Sequence, residues 1–146
     1  MASTYLSLHV HVIFATYGRA PMIDPSWRDE LHGYLAGSVR GLDGTSIAVG
    51  GVADHVHMLA RLKATHCIAD FVREVKKSSS VWASEKYEPF KWQAGYAAFS
   101  LSARDVRDVK SYIHHQAEHH LKLSSADELK AILEEFEVEY DLKYFE

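Results

Sequence analysis

The sequence of 146 residues contains a single cysteine, Cys67. One thiol cannot form an internal disulfide, and it cannot supply the several sulfur ligands of a cysteine-based zinc finger. A lone cysteine of this kind is typically a small, inert core residue, and we expect Cys67 to be buried. Stability must therefore come from a hydrophobic core, for which 47% hydrophobic residues are sufficient in one domain of this length.

Long apolar runs are also missing. No stretch reaches the roughly 18 consecutive apolar residues that mark a transmembrane helix, so we expect no membrane partner. The first residues lack the basic and apolar regions of a secretory signal. These absences predict a single soluble, cytoplasmic domain.

Excess positive charge is absent too. The formal net charge is −4, whereas nucleic-acid-binding domains are usually basic. Residues 127–146 contain eight acidic residues and two lysines, which leaves +2 on the preceding 126 residues. The charge distribution therefore permits a DNA or RNA partner without arguing for one.

Histidine pairs are the clearest chemical signal. The segment Asp54-His55-Val56-His57-Met58-Leu59 is typical of a strand in which both histidines lie on one face. Two such imidazoles can bind one metal ion, although an isolated H-x-H pair in a strand is more often incidental. His9 and His11 form a rival pair in the first predicted strand.

Hydrophobic periodicity predicts an α+β fold. Alternating apolar residues indicate strands, and apolar residues three or four apart indicate helices. We predict strands at 5–14, 45–52, 55–63 and 97–101, and helices at about 24–40, 68–85, 104–121 and 126–136. This order is ferredoxin-like (RRM-like): an antiparallel sheet with helices packed on it and a C-terminal helical extension.

Tyr112 and Gln116 lie four residues apart in a predicted helix and so share one of its faces. Such a helix could present a phenol and an amide oxygen to the strand histidines. A divalent metal held by His55, His57 and Gln116 would keep open positions and polarise a phosphodiester while Tyr112 attacks phosphorus. The alternatives are that Tyr112 only packs, and that His115 and His119 bind the metal instead.

Three blocks of sequence resemble the single-strand HUH tyrosine transposases. They are Asp54 to Leu59, Trp92-Gln93-Ala94-Gly95-Tyr96-Ala97-Ala98-Phe99-Ser100, and Tyr112-Ile113-His114-His115-Gln116-Ala117-Glu118-His119-His120. The segments 11–16, 75–80 and 139–144 also resemble that family, so the likeness covers nearly the whole chain. The histidines after Gln116 resemble the group associated with repeated extragenic palindromes (REP), although a classical insertion-sequence transposase remains an alternative.

The resemblance implies a single HUH transposase domain at 1–146, with a catalytic core at 1–123 and an acidic helix and tail at 124–146. It implies metal-dependent nicking and joining of single-stranded hairpin DNA, with His55, His57 and Gln116 as ligands of Mg²⁺ or Mn²⁺. Tyr112 would be the nucleophile and form a 5′-phosphotyrosine.

The same resemblance implies a homodimer of joined sheets, in which the Tyr112 helix can complete the partner's site. Five basic residues are candidate phosphate contacts: Arg19, Arg73, Lys76, Lys77 and Lys110. The acidic tail departs from the family and would weaken nonspecific phosphate binding. A non-catalytic, domesticated hairpin-binding protein of the same fold is the alternative function.

Overall fold

A computed structural model describes residues 3–120 and 122–141. Four antiparallel strands form one sheet in the spatial order β2-β3-β1-β4. The strands are β1 His9–Ala15, β2 Thr45–Val52, β3 His55–Arg61 and β4 Ala97–Leu101. The helices are α1 Pro25–Gly41, α2 Ile68–Ser84, α3 Val106–His114, α4 Gln116–His119 and α5 Ser125–Glu135. This arrangement confirms the predicted ferredoxin-like fold with a helical extension.

Helices cover both faces of the sheet. On one face, Val56 and Met58 of β3 lie in the main core, which also contains Leu31 of α1 and Val75 of α2. On the other face, two smaller apolar clusters join the sheet to the later helices: one contains Leu59 and Ile113, and the other contains Phe99 and Leu133. Because side chains alternate along a strand, His55 and His57 lie on this second face.

The helix starts follow local capping chemistry. Asp24 accepts a hydrogen bond from the backbone N–H of Ser26 at 2.9 Å, and Pro25 occupies the first turn of α1. The hydroxyl of Ser124 accepts from the N–H of Asp127 at 3.2 Å and so caps α5. Within the described ranges, no helix has the length and apolar composition required to cross a bilayer.

Three local predictions were wrong. The first strand begins at His9 rather than at residue 5, because β3 and β4 both end opposite His9, and Leu6 and Leu8 are exposed. The predicted helix 104–121 is divided at His115, whose φ of −108° and ψ of 26° interrupt the helical path. Cys67 is exposed before the first turn of α2 rather than buried.

Candidate active site

The two histidines of β3 converge as their spacing predicted. His55 and His57 are 1% and 0% exposed, and their Nε2 atoms are 3.1 Å apart. β3 lies between β1 and β2, so its backbone is hydrogen-bonded on both sides and holds the two rings in fixed positions.

The break between α3 and α4 places Gln116 beside this pair. Its Oε1 lies 3.2 Å from Nε2 of His55, and its side chain is buried. Tyr112 lies on the same side, with its ring centroid 5.8 Å from that of His57. All four predicted site residues are therefore brought together within one chain.

Glu128 of α5 completes the cluster and was not among the residues predicted from the sequence. Its Oε1 lies 3.0 Å from Nε2 of His57 and 3.3 Å from Nε2 of His55. Its Oε2 accepts a hydrogen bond from the hydroxyl of Tyr112. One signal was available: Glu128 precedes Ile132 by four residues and thus lies beside the apolar stripe of its helix.

The Nδ1 atoms of both histidines have partners of their own. Nδ1 of His55 lies 2.8 Å from the carboxylate of Asp54, and Nδ1 of His57 lies 2.8 Å from Nε2 of His11. The hydroxyl of Ser125 donates to the carboxylate of Asp54 at 2.8 Å, so α5 also contacts the residue that supports His55. The Nε2 atoms are thereby left facing each other and Glu128.

The charges in the cluster depend on one another. Burial lowers the pKa of His55, but hydrogen bonds to Asp54 and Glu128 outweigh this effect and raise the pKa to about 9. Burial disfavours the ionised form of Glu128, yet the neighbouring His55 and His57 hold its pKa well below the ordinary value. Burial and the adjacent Glu128 carboxylate raise the pKa of Tyr112. In the metal-free protein, these shifts favour a protonated His55 that balances the negative charge of Glu128.

The donor set fits a divalent metal. Ligands about 2.1 Å from one octahedral ion, at right angles to each other, are about 3 Å apart. The contacts among the Nε2 atoms of His55 and His57 and the Oε1 atoms of Gln116 and Glu128 include separations of 3.0 to 3.3 Å. Among the residues described, His55, His57 and Glu128 are the buried group of three with metal-ligand spacing.

The later histidines do not form the rival site. His115 is exposed, and its Nδ1 lies 2.6 Å from the carbonyl of Ser111, while the ring of His119 packs on Tyr112. His120 points inward instead: its Nε2 lies 3.0 Å from Oε1 of Gln116. His120 therefore extends the candidate site.

The five candidate phosphate contacts have different surroundings. Arg19 donates to Ser125 at 3.2 Å, Arg73 pairs with Asp70 at 2.9 Å, and Lys76 donates to the carbonyls of Gln93 and Gly95. Lys77 and Lys110 are exposed on α2 and α3. Of these helices, α3 carries Tyr112, whereas α2 covers the opposite face of the sheet.

The fold agrees with the comparisons to known proteins. Residues 4–116 match the family model described as "Transposase IS200 like". A protein assigned as a transposase from Deinococcus radiodurans R1 has a TM-score of 0.63 at 21% identity, over 77% of this chain and 94% of that one.

A REP-associated tyrosine transposase, solved bound to a REP hairpin, has a TM-score of 0.61 at 15% identity, over 82% of this chain and 74% of that one. These structural likenesses show the fold. The search of curated proteins gave no significant match. Because the family model covers more than half of the sequence, the chain belongs to the IS200-like transposase family and is a DNA transposase.

Proposed function

We propose that this transposase nicks and rejoins single-stranded hairpin DNA through a covalent bond to Tyr112, with a divalent metal bound by His55, His57, Gln116 and Glu128. One observation carries the proposal. A single carboxylate, that of Glu128, touches both the Tyr112 hydroxyl and the Nε2 atoms of the histidine pair. The nucleophile and the metal ligands are therefore separated by the width of one carboxylate, which is close to that of a phosphate group.

The proposed reaction has two steps, cleavage and joining. The phenolic oxygen of Tyr112 attacks phosphorus while the bond from phosphorus to the 3′ oxygen breaks, which gives a 5′-phosphotyrosine and a free 3′ hydroxyl. Glu128 accepts the hydrogen bond of the phenol in the resting protein and withdraws when DNA enters. The phenolic proton then passes to water as Tyr112 attacks, and a proton from water completes the 3′ hydroxyl. Attack of a 3′ hydroxyl on the phosphotyrosine then restores Tyr112 and a phosphodiester. The bound metal would supply charge neutralisation at a nonbridging phosphate oxygen.

Mg²⁺ and Mn²⁺ both suit this ligand set. The oxygens of Gln116 and Glu128 are hard ligands that either ion accepts, whereas the two imidazoles favour the softer Mn²⁺. We propose that the isolated protein binds Mn²⁺ more tightly than Mg²⁺.

Access to the site requires α5 to move. His55, His57 and Gln116 are at most 1% exposed, and the Glu128 carboxylate occupies the space beside Tyr112. A phosphodiester can reach both groups only if Glu128 withdraws, which would leave His55, His57 and Gln116 as the protein ligands of the metal while DNA is bound. We therefore propose that residues 1–123 are the catalytic core of one domain, that residues 124–146 are its acidic helix and tail, and that α5 covers the site between reactions.

Hairpin DNA is the proposed partner because the fold is shared with a transposase solved on a REP hairpin. We also propose a homodimer, in which α3 of one chain can serve the other. Mixing a Tyr112→Phe variant with a His55→Ala/His57→Ala variant tests this. Activity of the mixture indicates shared sites, and inactivity indicates that each chain uses its own tyrosine. Light scattering gives the mass of each sample.

Covalent capture of DNA tests the central proposal. Single-stranded oligonucleotides carrying a hairpin from the DNA that flanks the coding region would be incubated with the protein and Mn²⁺, then separated on a denaturing gel. We expect a protein–DNA adduct that Tyr112→Phe abolishes and Tyr34→Phe, on the opposite face, leaves unchanged. Hairpin binding without any adduct would instead support the non-catalytic alternative, and an adduct that survives Tyr112→Phe would refute the assignment of the nucleophile.

A further inference from the structure

We propose that His11 is a positioning residue that fixes His57 in the form able to bind the metal. The inference rests on the metal site of the proposed function and extends it to a side chain that is not itself a ligand. His11 is 7% exposed, and its Nε2 lies 2.8 Å from Nδ1 of His57. This is a contact between two buried imidazoles from neighbouring strands.

Metal binding by His57 would determine which of the two nitrogens donates the hydrogen bond in this contact. A neutral ring carries one proton, and a nitrogen that binds a metal must be the one without it. If Nε2 of His57 is the ligand, its proton lies on Nδ1 and is donated to Nε2 of His11. With Nε2 of His11 as the acceptor, the contact holds the ring of His57 in its metal-binding tautomer; the opposite direction would leave the proton on the ligand atom.

The Nδ1 atoms of the two proposed ligand histidines have different hydrogen-bond partners. Nδ1 of His55 meets the carboxylate of Asp54, whereas Nδ1 of His57 meets another imidazole. A second carboxylate in the place of His11 would add a buried negative charge close to Glu128. An imidazole fixes the ring of His57 without that charge, which keeps the site close to neutral when a divalent ion is bound.

The register of the sheet explains why His11, and not His9, has this role. Residue 13 pairs with His57 and His11 pairs with Leu59, so His11 is the diagonal neighbour of His57 on the same face. His9 lies one step further along, opposite Arg61 at the end of the sheet, and contacts Ser7 at 3.5 Å. His9 is therefore a matched control on the same strand.

The test compares His11→Gln with His11→Asn. The glutamine oxygen can reach the position of the imidazole Nε2, whereas asparagine is one methylene shorter and equally polar. We expect His11→Asn to weaken Mn²⁺ binding about 10- to 100-fold, the usual effect of losing a partner of a metal ligand. His11→Gln should stay within about threefold of the wild type, and His9→Asn should bind Mn²⁺ like the wild type.

Isothermal titration with Mn²⁺ and thermal unfolding of the metal-free proteins provide the readouts. Equal Mn²⁺ affinity in His11→Asn and the wild type would overturn the proposal. An equal loss of Mn²⁺ affinity in both His11 variants, matched by an equal drop in unfolding temperature, would also overturn it. His11 would then contribute packing alone. Absence of Mn²⁺ binding by the wild-type chain would refute the metal site itself, and this proposal with it.

Discussion

The carboxylate of Glu128 accepts a hydrogen bond from the hydroxyl of Tyr112. The other oxygen of Glu128 lies among the metal-ligand atoms, 3.0 Å from Nε2 of His57. A residue of α5 thus joins the proposed nucleophile to the proposed metal site. Because Glu128 is 3% exposed, its charge is compensated by these neighbours rather than by water.

Replacing Glu128 by Gln should weaken metal binding. The substitution keeps the shape of the side chain but removes the negative charge closest to the two Nε2 atoms. We expect Mn²⁺ affinity to fall at least about tenfold, as measured by isothermal titration. Glu134→Gln is the control: it is the same chemical change on an exposed residue of α5, which accepts a hydrogen bond from Tyr140. Equal affinities in the two variants would exclude Glu128 from the ligand set.

The fold could be predicted because its signals are local. Alternation predicted the bounds of β4, Ala97–Leu101, correctly, and the Asp24 cap predicted the start of α1. The start of β1 could not be predicted in this way. The alternation continues back to residue 5, but a strand needs a partner, and where the partner strands end is a property of the sheet.

The same distinction applies to the site. His55 and His57 are two residues apart, and Tyr112 and Gln116 are four apart, so each pair was predictable from the geometry of one element. Glu128 lies 71 residues after His57 and approaches it only because α5 packs back on the sheet. Similarly, the His11 contact depends on strand register, which the spacing of histidines within one strand does not contain.

Metal affinity should increase with pH. The pKa of His55 is raised to about 9 in the metal-free protein, against an ordinary value of 6.5. A metal must displace this proton, so affinity should rise by up to about tenfold per pH unit between pH 6.5 and 9 and then level off. The protonated ring stabilises the metal-free fold below pH 6.5, and this contribution is lost as pH rises through 9.

Titrations with Mn²⁺ at pH 6.5, 7.5 and 8.5, in buffers of different ionisation enthalpy, measure both the affinity and the protons released. About one proton per ion is expected at pH 7.5. An affinity that is independent of pH, with no proton release, would show that His55 is already neutral in the metal-free protein.

Lys110 should contribute more to DNA binding than Arg73. Lys110 is exposed on α3, the helix that carries Tyr112, whereas Arg73 lies on α2 and pairs with Asp70. Lys110→Gln should weaken binding of a single-stranded hairpin oligonucleotide a few-fold and reduce the salt slope of log K by about 0.7. Arg73→Gln should leave both unchanged. Fluorescence anisotropy at several salt concentrations makes the comparison, and a larger effect of Arg73→Gln would place the DNA on the α2 side.

The close contact of β2 with α3 gives a prediction for the backbone that positions Tyr112. A Cβ atom on Gly50 would lie 2.2 Å from the carbonyl oxygen of Ile113, the residue after Tyr112. Gly50→Ala must therefore push α3 away from the sheet, at a cost of about 1–3 kcal/mol of unfolding free energy. Gly33→Ala, at an open position of α1, should instead stabilise the protein by up to about 1 kcal/mol.

Chemical denaturation measures both stabilities, and the adduct assay shows whether the displacement reaches the nucleophile. We expect Gly50→Ala to lose adduct formation even under conditions where it remains folded, because α3 carries Tyr112 and leads into Gln116. Full activity of a folded Gly50→Ala protein would mean that the position of α3 against β2 does not control the distance from the tyrosine to the histidine pair.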